Sequence, residues 1–183
     1  MKKSSLLALI LCPFLLTSTQ GKIVSGQNWL DLSTGWEFAA GKNADGSMEN
    51  SGEEKILILN YNFESGGGSV TATYDFGGIE PIESLQLIQI LAKGPAGSVV
   101  VGIEDAQGQL FLYRIGRLES DEQRMLEVNL QTPSEVAGKV ADKNIHYPIK
   151  TMRVTVEKDE FLLKGTLTVE RIALHGPQYQ KPE

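Results

Sequence analysis

The chain has 183 residues and a formal net charge of −6, with 17 lysines and arginines against 23 acids. An acidic chain with scattered bases offers phosphates no concentrated counter-charge, which argues against nucleic-acid binding. Its one cysteine, Cys12, lies in the N-terminal segment, so the remainder has no thiol for a disulfide, a thiolate metal site or a nucleophile.

Residues 1–21 are expected to be a cleaved secretory signal peptide. Lys2 and Lys3 form a basic start, Leu6 to Leu16 is almost wholly apolar, and Thr17 to Gly21 is small and polar. The apolar run is too short to span a bilayer, and no later run approaches the roughly 20 residues required. The expected destination is secretion or a bacterial periplasm. Losing two lysines with the leader takes the formal charge of −6 to −8, and losing 21 of 183 residues leaves 162, enough for one domain with a sizeable core.

Periodicity of two dominates the expected domain, 22–175. Leu57, Leu59, Tyr61 and Phe63 alternate with Ile58, Asn60 and Asn62. Val70, Ala72, Tyr74 and Phe76 alternate with Thr71, Thr73 and Asp75. Met152, Val154 and Val156 alternate with Arg153 and Thr155. Such patterns are half-buried strands. The stretches 84–92, 98–104, 110–115 and 125–130 read the same way. The last strand, 165–174, slips phase between Val169 and Ile172, which predicts a bulge near Glu170 and Arg171. Turn chemistry separates the runs: a polar loop at 41–54, Ser-Gly-Gly-Gly-Ser at 65–69, Gly94-Pro95, and Asp105-Ala106-Gln107-Gly108, a hairpin turn ending in a positive-φ glycine. The longest connection, 131–148, has a length that usually signals function or mobility. Residues 176–183 read as a disordered tail. About nine strands without a convincing amphipathic helix argue for an all-β, two-sheet antiparallel sandwich.

Catalytic chemistry finds little support. The histidines are His146 and His175, no Gly-x-Ser-x-Gly elbow occurs, and the adjacent acids read as solvated turn charge. Zinc would need ligand spacing that two histidines do not supply. A structural calcium is the exception, since carboxylates and carbonyls from loops can hold it; Asp45, Glu49 and Glu170 are the candidate ligands. Sugars need flat apolar platforms with a few fixed polar groups. Trp36, Tyr74, Tyr113, Arg114, His146 and Tyr147 are the candidates, although strand aromatics, Trp29 and Tyr61 among them, are more often core.

The pattern as a whole resembles the galactose-binding-domain-like jelly rolls, including carbohydrate-binding modules attached to bacterial glycoside hydrolases. The resemblance runs through the Trp-rich segment 29–38, the strand 56–63, Val100 to Arg114 with its Ala106-Gln107-Gly108-Gln109 turn, and the closing Gly165-Thr166-Leu167-Thr168-Val169-Glu170-Arg171-Ile172-Ala173-Leu174, where Glu170 stands in place of a usual aspartate. It implies two facing sheets, a structural calcium in many members, and ligand binding on loops or a concave face without catalysis. The expected role is a non-catalytic, exported module binding a polysaccharide or glycan, alongside a separately encoded protein or hydrolase. One alternative is a protein-interaction or assembly sandwich, which a large exposed apolar patch would favour. The other is a small polysaccharide-active enzyme, which facing carboxylates or His146 within reach of an acid would favour.

Overall fold

The computed structural model describes residues 27–76, 82, 84–140 and 142–177. The expected signal segment and most of the expected tail lie outside these residues. Within them the chain forms twelve strands: β1 (Gln27–Trp29), β2 (Trp36–Ala40), β3 (Asp45–Ser51), β4 (Ile56–Asn62), β5 (Ser69–Asp75), β6 (Leu87–Lys93), β7 (Ala96–Glu104), β8 (Leu110–Leu118), β9 (Arg124–Asn129), β10 (Glu135–Ala137), β11 (Thr151–Glu157) and β12 (Lys164–His175). They build two six-stranded antiparallel sheets. The first runs β3-β4-β12-β6-β9, with β1 beside the end of β12. The second runs β10-β8-β7-β11-β5-β2.

Each alternating segment buries its apolar half between the sheets. Leu57, Leu59 and Tyr61 of β4 and Ile88 and Ile90 of β6 face Val70, Ala72, Val101, Ile103, Val154 and Val156, which are all but inaccessible, in one continuous core. Most chain connections cross from one sheet to the other. The tightest is Gly94-Pro95, between β6 and β7. Gly94 has φ +99°, and a Cβ there would lie 2.2 Å from the Thr166 carbonyl oxygen, so only glycine passes. The bulge expected at the end of the chain is present: the β12–β6 register shifts between Val169 and Arg171.

Four strands carry too little apolar alternation to be read from sequence. The loop expected at 41–54 contains β3, an edge strand whose ladder to β4 is held by backbone pairing from Asp45↔Asn62 to Ser51↔Ile56. The long connection expected at 131–148 contains β10, paired through Val136↔Phe111. β1 and β2 are the others.

Candidate carbohydrate-binding site

The connection from β10 to β11 is pinned by a buried polar knot. Asp105 and Gln109, at the two ends of the β7–β8 turn, are both inaccessible to solvent. Asp105 Oδ1 accepts from the backbone N–H groups of Gln107 and Gln109, each at 2.9 Å, as the turn residues dictate, with Gly108 at φ +76°. Asp105 Oδ2 accepts from Gln109 Nε2 at 3.1 Å and from the His146 N–H at 3.0 Å. Gln109 Nε2 also reaches Asp142 Oδ1 (3.2 Å) and the Asn144 carbonyl (3.3 Å), while its Oε1 accepts from the Asp142 N–H at 2.9 Å. A buried carboxylate is thereby satisfied by donors from two distant segments.

On the rim of this knot His146 Nε2 stands 2.9 Å from Asp142 Oδ2. The Asn144 N–H, His146 and the Gln109 amide together draw the Asp142 carboxyl down to about 2. A histidine near an acid is one feature expected of a hydrolase. Here the other carboxylate oxygen already accepts from Gln109 and Asn144, so the pair fastens the loop.

Beyond the knot the loop closes over the end of the sandwich. The Leu85 N–H donates to the Tyr147 hydroxyl at 3.0 Å, and that hydroxyl donates to the Leu85 carbonyl at 2.9 Å. Between the loop and the β6 and β9 ends lies an open groove of about 550 Å³, lined by Leu85, Gln86, Leu130, Gln131, Lys143, Asn144, Ile145, Tyr147 and Pro177. Its apolar floor meets three side-chain amides and one amine. Amides both donate and accept, which matches the dual character of sugar hydroxyls.

The other expected sugar residues divide by strand alternation. Trp36 and Tyr74 are buried, with ring centroids 5.2 Å apart across β2 and β5. Tyr113 is buried too. Its hydroxyl donates to the Leu130 carbonyl at 3.0 Å, and burial pushes its pKa up. These three rings face the core and offer no platform to a ligand in solvent, which corrects the expectation placed on them. Arg114, the next residue, points to the opposite face, where it pairs with Glu157 and Glu135. That outward face of the second sheet is mixed. It carries Arg153 on Glu104 at 2.7 Å and Thr71 against Thr155 at 3.0 Å, beside Leu110 and Leu112 around Gly102, and among the described strand residues it bears no aromatic ring. Only Tyr147 of the expected set lines the groove.

The expected calcium ligands do not converge. Asp45 and Glu49 sit opposite Asn62 and Ile58 on β4, and Glu170 is held by Lys93 at 2.7 Å. Among the described residues no group of three or more histidine, aspartate or glutamate side chains could hold a metal ion. Sequence reasoning also placed Trp29 with the core aromatics, yet it is 53% exposed. The signal available was its position at the first strand of the domain, where partners exist on one side only.

No family model and no curated protein matches the sequence. Solved structures do match in fold. The family 11 carbohydrate-binding module of a cellulosomal cellulase of Clostridium thermocellum superposes with a TM-score of 0.63 at 13% identity, covering 86% of this chain and 99% of that one. The family 11 module from Clostridium thermocellum in complex with a β-1,3-1,4-mixed-linked tetrasaccharide gives 0.58 at 14% identity, covering 85% and 99%. A xylan-binding module gives 0.53 at 12% identity, also covering 85% and 99%. The chain therefore has the two-sheet sandwich fold of these carbohydrate-binding modules over nearly their whole length.

Proposed function

We propose that this chain is a non-catalytic, exported carbohydrate-binding module whose glycan site is the groove beneath the 138–147 loop. The observation that carries the reading is the immobilised groove itself. A long loop is held at one end by the Asp105–Gln109 knot and at the other by the Tyr147 hydroxyl on Leu85. The ligand then pays little of the entropy of ordering it. Gln86, Gln131 and Asn144 would meet sugar hydroxyls, and Tyr147, Leu130 and Ile145 would pack against the C–H faces of a ring. The likeness in fold to modules that bind a mixed-linkage tetrasaccharide and xylan supports a carbohydrate over other ligands. Export rests on the basic, apolar, small-residue order of residues 1–21.

The test is affinity electrophoresis through gels containing mixed-linkage glucan, xylan, agarose or galactan. Retardation by at least one polymer is expected. It should be lost in the doubly substituted Gln131→Ala, Asn144→Ala chain, whose melting temperature should stay unchanged because both side chains are exposed. Unretarded native protein in every gel would overturn the reading.

A further inference from the structure

We propose a second, independent sugar site around Trp29, on the opposite sheet from Arg114. It would bind a single neutral pyranose ring. It rests on the same carbohydrate class of ligand as the groove beneath the 138–147 loop, but uses different residues.

Trp29 differs from the other tryptophan of the chain. Trp36 is 7% exposed, whereas Trp29 is 53% exposed at the edge of the first sheet. Its backbone pairs with Ala173 of β12, and the ladder continues through the Leu30 N–H to the Ile172 carbonyl at 3.0 Å. The backbone that carries the ring is therefore anchored to the sheet, although the ring is not buried. The Arg171 guanidinium lies 4.8 Å from the ring centroid and favours this orientation. A half-open indole on an anchored strand suits the C–H face of a sugar, and a Trp side chain has few torsions to order for a ligand.

The ring forms one wall of a groove of about 460 Å³ with Leu30, Leu32, Glu54, Lys55, Glu170 and Arg171. Two local devices place the polar groups. The β12 bulge between Val169 and Arg171 breaks the alternation, so that Glu170 and Arg171, which are consecutive, both reach the groove. Glu170 is held in place by Lys93. Across the groove the β3–β4 turn is locked by the Glu54 N–H on Ser51 Oγ (3.2 Å) and the Lys55 N–H on the Ser51 carbonyl (2.8 Å), with Lys55 in the left-handed region at φ 53°. Two acids and two bases leave the groove without net charge. A charged ligand would meet as much repulsion as attraction, whereas hydroxyls can donate to the carboxylates and accept from the cations.

The chain has two tryptophans, 7% and 53% exposed, so the readily quenched part of the fluorescence comes from Trp29. Acrylamide quenching of the native protein is measured with and without glucose, galactose, mannose and xylose, each at about 100 mM, since one ring of this size binds in the millimolar range. At least one sugar should shield Trp29 and shift its emission. In Glu54→Gln or Arg171→Ala the apparent affinity should fall about tenfold, as expected when a charge-assisted hydrogen bond or the favoured indole orientation is lost. The Gln131→Ala, Asn144→Ala chain should keep the full response even where gel retardation is gone. Absence of any sugar effect on native Trp29 would overturn the second site while leaving the gel result standing. So would a response that disappears with the loop-groove substitutions but survives Arg171→Ala and Glu54→Gln.

Discussion

Gln109 and Asp105 are both fully buried, and the Gln109 amide donates to Asp105 Oδ2 at 3.1 Å. A carboxyl group is thus buried in the wall of the sandwich, accepting from its own turn at Gln107 and Gln109 and from the His146 N–H, 41 residues away along the chain. Such an arrangement contributes order more than stability, because desolvating the carboxylate offsets much of what its bonds return. Its structural effect is to turn the longest connection into a fixed wall of the groove.

Removing one partner leaves the other buried without enough donors. Gln109→Leu is expected to destabilise the fold by about 3 kcal/mol, measured by urea unfolding, and to abolish polymer retardation. Asn144→Ala on the rim should shift the unfolding midpoint little while weakening retardation.

Tyr113 separates structure from recognition. Its hydroxyl serves the buried Leu130 carbonyl, so Tyr113→Phe should lower stability by about 1–2 kcal/mol. Retardation of the variant in polysaccharide gels should equal that of the native chain. A selective loss of binding at unchanged stability would place Tyr113 in the site after all.

Gly94 and Gly108 both have positive φ, but only Gly94 is crowded. A methyl group at Gly94 meets Thr166 backbone at 2.2 Å, whereas at Gly108 it meets open space. Gly108→Ala should cost about 1 kcal/mol from backbone strain alone. Gly94→Ala should cost clearly more, because β12 must move away from the crossing. Thermal melts of the two variants compare them directly.

Acid should weaken the protein in two steps. Burial holds His175 below its ordinary pKa, only partly opposed by Glu127, so the unfolded chain takes up a proton that the folded chain resists. Stability is full above about pH 6.5 and declines as the pH falls through that value towards the depressed folded pKa. Asp142, drawn down to about 2, contributes stability above its unfolded value near 3.8 that is lost between there and about pH 2. Urea midpoints against pH should show the first decline disappear in His175→Gln and the second shrink in Asp142→Asn, the rest belonging to Asp31, which the Ser33 hydrogen bonds also hold below the usual carboxylate range.

Much of the architecture was legible because burial leaves a period-two trace: β4, β5 and β11 alternate without a break, and the phase slip in β12 announced its bulge. β3 and β10 left no such trace, since edge strands are held by backbone bonds that any side chain permits. The site was less legible. Tyr113 and Arg114 are neighbours in sequence, yet the pleat sends one into the core and the other to solvent. Tyr147 was found because it sits in the long loop. The buried bond network of Asp105 and Gln109 joins segments whose pairing no local pattern records, and Trp29 was hidden by the ordinary preference of strand aromatics for the core.

The most direct measurement is an amide chemical-shift map of the isotopically labelled protein titrated with fragments of whichever polysaccharide retards it. The expected shifts gather at Gln86, Gln131 and residues 143–147, with a separate response at the Trp29 indole. Shifts confined to the outward face of the second sheet, around Arg114, Arg153 and Thr155, or no shifts at all, would contradict the account.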